Sequence, residues 1–337
     1  MGVYIKALSY YLPKNILTNE ALHELFPEWL PENIYQKTGI KQRHVTDWDE
    51  IASDCAVKAA EKLFEEHNLD KKSIDFILFV TQTPDYCSPT TACLIQHRLG
   101  LPNNIGAFDI NLGCSGFVYA LSVAKSFLLS NMAKNILILT SEVLTKHIHK
   151  QDRSARMLFG DAGAAAVVSI SEAENKNIGE FVFGTDGKDL NIMIAPNLGF
   201  RNHYLNNCAI DYNDEYGNTL NDSNFSMNGP KVFIFSLRRV PPLIAEVLQK
   251  NNLSEEDIDL FVFHQANGYL LETLRKKLHI PSHKFFSNIE NKGNTVSSTI
   301  PIALCDAIKA GRIQENQTIL VAAFGVGLSW AATILKT

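Results

Sequence analysis

The sequence predicts an α/β protein built from two copies of one unit, and three observations carry that prediction. Asn68-Leu69-Asp70-Lys71-Lys72-Ser73-Ile74-Asp75 and Asn252-Leu253-Ser254-Glu255-Glu256-Asp257-Ile258-Asp259 lie 184 residues apart, and each leads into an apolar run, Phe76–Val80 or Leu260–Phe263. A second pair of apolar runs, 136–140 and 319–323, follows in the same order. Asn111-Leu112-Gly113-Cys114 and Asn291-Lys292-Gly293-Asn294, 180 apart, share the pattern N-x-G-[C/N]. Each follows a strand-like run (Gly106–Ile110; 284–289) and opens a small, apolar stretch that reads as a buried helix. Matches in constant order at a near-constant offset are the signature of duplication.

Each unit opens with a helical pattern. Ala56, Ala59, Ala60, Leu63 and Phe64 recur at spacings of three and four in one; Leu243, Ile244, Val247 and Leu248 do so in the other. The four strand-like runs are continuously apolar rather than alternating, as strands buried on both faces are, so helices are expected on both sides of each sheet. The expected division is an N-terminal half, 1–175, carrying Cys114, and a C-terminal half, 176–337, carrying a polar insertion at 199–226. The N-x-G pair places Cys114 and Asn294 at one equivalent spot, the start of a helix in each half.

At 337 residues and 46% hydrophobic composition the chain can bury a large core, roughly three quarters of its unfolded surface. No apolar stretch approaches the ~20 residues that span a bilayer, no signal peptide is expected, and residue 6 is Lys rather than the Ser or Thr of a myristoylation site. A net charge of −5 without a basic stripe argues against nucleic acid. Six cysteines (55, 87, 93, 114, 208, 305) show no C-x-x-C pair, which excludes zinc and disulfide frameworks and fits a cytoplasmic protein. No metal is expected: His147-x-His149 is too little for a site, and the segment from Asp211 to Gly217 carries Tyr216 where a calcium loop needs glycine.

Cys114 sits in Gly113-Cys114-Ser115-Gly116-Phe117 at the start of the helix through Leu129. A helix N-terminus favours the thiolate, and a thiolate there is a nucleophile towards a thioester. Cys55, Cys93 and Cys305 fit helical patterns as buried structural cysteines. His264 ends the run Leu260–Phe263 and opens His264-Gln265-Ala266-Asn267, at the strand end where α/β proteins place their sites. It aligns with Val80, so the fold itself does not demand a histidine. Asn294 reads as a helix cap or, beside His264, as a second neutral hydrogen-bond donor that stabilises an enolate.

The chain resembles the β-ketoacyl-acyl-carrier-protein synthase III branch of the thiolase superfamily nearly end to end. The resemblance rests on Lys37-Thr38-Gly39-Ile40-Lys41-Gln42-Arg43-His44, Thr81-Gln82-Thr83-Pro84-Asp85-Tyr86, the Cys114 segment, Asp152-Arg153, Phe159-Gly160-Asp161, His264-Gln265-Ala266-Asn267, Gly293-Asn294-Thr295 and Phe324-Gly325-Val326-Gly327-Leu328-Ser329-Trp330. It implies a thiolase-like fold with a layered αβαβα core and a ping-pong decarboxylative Claisen condensation. Cys114 takes an acyl group from coenzyme A, then His264 and Asn294 hold the thioester of malonyl-acyl carrier protein as CO2 leaves. It also implies an oxyanion hole from the backbone N–H groups of Cys114 and Val326, pantetheine contact at Asn267, adenine packing at Arg153, a homodimer, and no bound cofactor. The family's adenine-stacking tryptophan falls at Asn33 and its partner arginine at Lys37, which opens an acyl carrier protein as the alternative donor. Lys276 and Lys277 are the expected carrier-docking residues. Ser88, at a position that closes the neighbouring subunit's acyl pocket, implies room for more than acetyl. Two alternatives remain: a same-fold acyltransferase or specialised condensing enzyme of a pigment, signal or saccharide pathway, and a non-catalytic partner subunit. A hydroxymethylglutaryl-coenzyme A synthase is disfavoured, because Asp85-Tyr86-Cys87 offers no general-base glutamate.

Overall fold

The structure, a computed structural model, describes residues 2–171, 176–199, 201 and 210–337. Cys208 and residue 175, the expected end of the first half, lie outside the described residues. Two mixed sheets form the frame. The first contains β1 (Gly2–Tyr11), β2 (Phe76–Val80), β3 (Gly106–Ile110), β4 (Asn135–Glu142) and β5 (Ala162–Ser171), in the order β1-β5-β4-β2-β3. The second contains β6 (Asn177–Ile178), β7 (Val182–Thr185), β8 (Leu260–Phe263), β9 (Phe285–Phe286), β10 (Thr318–Gly325) and β11 (Ser329–Lys336), in the order β9-β8-β10-β11-β6, with β7 also on β11. In both, two parallel pairings are followed by antiparallel ones.

Of the nine α-helices among the described residues, seven complete the frame: α1 (Pro31–Thr38), α2 (Ala52–Glu66), α3 (Thr91–Leu99), α4 (Gly116–Leu129), α5 (Gly229–Lys250), α6 (Gly268–Lys277) and α7 (Thr299–Lys309). Helices α4 and α7 fill the space between the sheets. Phe117, Leu121 and Leu128 share one apolar cluster with Ile300, Ala303 and Leu304, and with strand residues of both sheets. Helices α2 and α3 cover the outer face of the first sheet, and α5 and α6 that of the second. The result is the αβαβα layering expected from the sequence. Each fully buried Phe, Leu or Ile here contributes ~1.5–3 kcal/mol, and the middle layer belongs to both halves.

The repeat is visible at the level of single bonds. Asn68 and Asn252 both take left-handed φ, +48° and +54°, which asparagine tolerates. Asp75 Oδ2 accepts the N–H of Asn135 (2.9 Å), and Asp259 Oδ2 accepts that of Thr318 (2.8 Å). The N–H groups of the two aspartates return to the carbonyls of the same partners, at 3.0 and 2.9 Å.

Four sequence readings are corrected. The expected strand over 284–289 is only Phe285–Phe286, followed by a 3-10 turn, Ile289–Asn291. Cys93 is exposed, because α3 buries Thr91, Ala92, Ile95 and Leu99 instead. Asn294 does not share the place of Cys114. Ser115 and Ser298 cap α4 and α7 with φ/ψ of −83°/−10° and −82°/−9°. Strands β4 and β10 begin at Asn135 and Thr318, so the offset is 183 throughout this stretch. The counterpart of Cys114 is therefore Ser297, and that of Asn294 is Asn111. The two N-x-G segments share turn chemistry rather than position: Gly293 takes φ +72° against Arg43, ahead of a 3-10 turn, Val296–Ser298, that leads into α7. Asn294 is not a helix cap either, since Ser298 holds that place. The fourth correction concerns the Cys114 thiol and follows below.

Candidate active site

Cys114, His264 and Asn294, distant in sequence, line one cavity of about 480 Å³. Its walls are mostly apolar, with Phe159, Phe233, Leu270 and Phe324 among them, and Asn267 also lines it. Cys114 lies at the seam, two residues before α4, with Gly325 of the other half directly opposite. A Cβ at Gly325 would stand 2.6 Å from the Cys114 Sγ and 2.7 Å from its Cβ. Only glycine leaves the nucleophile its space.

Burial pushes the Cys114 thiol up to about 12, with the charge of Glu142 adding to the rise; hydrogen bonds from the N–H groups of Val326 and Cys114 itself act the other way. The sequence reading, a thiol acidified by the helix N-terminus, is thus reversed. The side chain is 7% exposed, and loss of water outweighs the helix ends and N–H groups. The same two N–H groups, aimed at sulfur here, are those named for the oxyanion hole. Val326 reaches towards Gly113, where a Cβ would meet Val326 Cγ1 at 2.9 Å. Gly113 leaves the valine its space.

His264 follows β8 and is fully enclosed. Its N–H bonds the Ala322 carbonyl (2.8 Å), and its ring stands edge-on to Phe324. Nδ1 lies 2.6 Å from Thr299 Oγ1, and that hydroxyl donates to the Val296 carbonyl at 3.0 Å. A hydroxyl has one proton, so Nδ1–H donates to Thr299 and Nε2 carries the lone pair. Burial lowers the His264 pKa to about 3, so the ring is neutral at ordinary pH.

Asn294 is fixed from three sides. Its N–H donates to Leu158 (2.9 Å), its Oδ1 accepts from Val296 N–H (2.9 Å), and its Nδ2 donates to the Ala266 carbonyl (3.2 Å). An amide has two N–H donors, and the second is left for a ligand. Val296 holds φ +53° to make this turn, a conformation a β-branched residue adopts at a cost of ~1–2 kcal/mol.

The remaining expected site residues divide. Asn267 caps α6, accepting from Leu270 N–H, and its Nδ2 donates to the Lys37 carbonyl at 3.3 Å. Lys37 and Arg153 line a separate, open cavity of about 440 Å³ with Glu28, Trp29 and Asn33. Arg153 is paired there with Glu28 (2.5 Å) and donates to the Gly217 carbonyl. Lys37 Nζ sits 3.9 Å above the Trp29 ring. Lys276 pairs with Glu272 at 3.4 Å on the exposed face of α6, where Lys277 is also exposed. Ser88 is exposed and lines neither cavity in the single chain. Sequence reasoning missed Gly325, Thr299, Trp29 and Glu142; an acidic residue ending the apolar run of β4 was the one legible hint.

Two family models match, "3-Oxoacyl-[acyl-carrier-protein (ACP)] synthase III" over residues 108–187 and its C-terminal counterpart over 248–337. The β-ketoacyl-[acyl-carrier-protein] synthase III of Clostridium perfringens is 38% identical over 326 residues, 97% of this chain and 96% of that protein. The chain belongs to the β-ketoacyl-acyl-carrier-protein synthase III family. The relative from Aquifex aeolicus is 35% identical with both chains fully covered, and its crystal structure superposes with a TM-score of 0.85. Another crystal structure of a 3-oxoacyl-(acyl-carrier-protein) synthase III, 41% identical, reaches 0.98 with both chains fully covered. The fold is thiolase-like, as the resemblance implied. No helix among the described residues is long and apolar enough to cross a membrane.

Proposed function

We propose that this enzyme condenses an acyl thioester with malonyl-acyl carrier protein, with loss of CO2, through an acyl group carried on Cys114. The supporting observation is the convergence of Cys114, His264 and Asn294 on one apolar cavity. Cys114 and His264 line the same cavity, and Nε2 is the His264 ring nitrogen left free to take the thiol proton as sulfur attacks. Sulfur attacks the thioester carbonyl as its proton passes to Nε2; the oxyanion receives the N–H groups of Cys114 and Val326. The carbonyl re-forms, the donor thiolate leaves, and it takes the proton from His264. The malonyl thioester then replaces it. Breaking its carboxylate C–C bond leaves an electron pair on the thioester enolate, whose oxygen accepts the free Asn294 N–H; His264 donates to it from Nε2 in the other neutral tautomer, in which the Thr299 hydroxyl turns from the Val296 carbonyl to Nδ1. The enolate carbon attacks the acyl-cysteine carbonyl, the C–S bond breaks, and the β-ketoacyl thioester leaves.

The working unit in this reading is a homodimer, with Ser88 near the partner's acyl pocket and Lys276 and Lys277 meeting an acidic carrier. Specific contacts favour a carrier protein as acyl donor too. Glu28 occupies Arg153 and Lys37 lies over Trp29, so both groups expected at the adenine already have partners. Intact mass after incubation with acyl-coenzyme A and acyl-carrier-protein panels tests the reading. One acyl adduct on wild type, absent in Cys114→Ala, is expected, with carrier donors faster. No adduct from any donor would overturn it.

A further inference from the structure

The offset of 183 between the halves brings out a buried group that the reaction above does not use. The last residue of β4 is Glu142 and that of β10 is Gly325, at equivalent positions. Each faces the residue just before the central helix cap of the other half: Gly325 faces Cys114, and Glu142 faces Ser297, whose hydroxyl donates to its Oε1 at 3.3 Å. The place that glycine empties for the thiol is filled, in the mirror position, by a carboxyl group.

Glu142 is 1% exposed. Both of its oxygens accept the Gln82 N–H at 3.1 Å, and Oε2 accepts the Thr83 hydroxyl at 3.1 Å. It thereby ties the loop after β2 to the Val296–Ser298 turn that holds Asn294. Among the described residues no cation pairs with it. It also lines, with Cys114, Gln82, Phe159, Phe225 and Val326, a pocket of about 20 Å³ beneath the thiol. Cys114 is the one other titratable group among the described residues lining that pocket.

We propose that Glu142 is a positioning residue for acyl transfer that also acts as a pH gate: neutral, it braces the seam beneath Cys114; ionised, it sets a charge against the thiolate and the oxyanion. Burial raises its pKa to about 8, with the hydrogen bonds from Gln82, Thr83 and Ser297 opposing the rise. The carboxyl is therefore protonated at neutral pH and ionises just above it. A negative charge in so dry a place weakens the neighbouring anion strongly.

This inference rests on Cys114 as nucleophile, so its test uses a readout that needs no acyl substrate. The rate of Cys114 alkylation by iodoacetamide, followed by intact mass from pH 5 to 11, is compared in wild type and Glu142→Gln. The thiol of Glu142→Gln is expected to react at lower pH, by at least one unit. Its acylation rate should stay level through pH 8, where that of wild type falls. Ser297→Ala, which keeps the carboxyl but removes a donor to its charged form, should move the wild-type fall to higher pH. Superimposable alkylation profiles in wild type and Glu142→Gln, or an unmoved fall in Ser297→Ala, would overturn the gate. Loss of acylation with alkylation behaving as described would instead count against the condensing reading.

Discussion

The two halves share a backbone and divide the chemistry. In the first half, Val80 ends the inner strand and packs on Gly116, where a Cβ would meet Val80 Cγ1 at 2.3 Å. In the second, the equivalent residues are His264 and Thr299, joined by a 2.6 Å hydrogen bond. Across the seam the asymmetry reverses: Cys114 faces Gly325, while Ser297 faces Glu142. A duplicated scaffold thus yields one nucleophile site and one proton-handling site by exchanging small residues for functional ones at matched positions. Secondary structure tolerates this because the exchanged positions lie at strand ends and helix starts, where the backbone ladder is already complete.

The largest expected effect tests the space beside the thiol. Gly325→Ala places a methyl carbon in contact with Cys114 Sγ; displacing a reacting atom by about an ångström costs ~10²-fold. Acyl-adduct formation, timed by intact mass, should fall by that order with the fold unchanged by circular dichroism. Thr299→Val tests the histidine side. It removes the acceptor for Nδ1–H and frees the ring to change tautomer, so both half-reactions should slow by about tenfold, as one lost net hydrogen bond implies. Thr299→Ser should restore them. A smaller effect tests the duplication itself. Asp75→Ala removes two hydrogen bonds at the start of β4, from the N–H groups of Lys134 and Asn135, and Asp259→Ala removes one at the start of β10; losses of about 1–3 and about 0.5–1.5 kcal/mol are expected in urea unfolding. A larger loss at Asp259 would mean that the shared geometry does not carry shared energetics.

The legibility of this molecule in its sequence followed the same division. The paired N-L segments and continuous apolar runs announced the repeat because Asp75 and Asp259 both accept the first N–H of the next inner strand. His264 stood out since its counterpart is Val80. The pairing of Cys114 with Asn294 failed, because a shared glycine turn outweighed a register fixed only by helix caps. The thiol's acidity was also misjudged: sequence shows the helix start but not the enclosure that removes water. Glu142, Thr299 and Gly325 act across the seam, and contacts between halves leave no local pattern. Cys93 was misplaced since α3 is too short for its buried face to be read from spacing.

The division of labour is tested most directly by separating the half-reactions. Acyl-adduct formation and CO2 release from malonyl-acyl carrier protein would be measured in wild type, Cys114→Ala and Asn294→Ala. Cys114→Ala should lose the adduct yet still release CO2. Asn294→Ala should form the adduct at near wild-type rate while CO2 release falls ~10²–10³-fold, as for loss of one oxyanion donor. An acyl adduct on Cys114→Ala, or undiminished CO2 release from Asn294→Ala, would contradict the account.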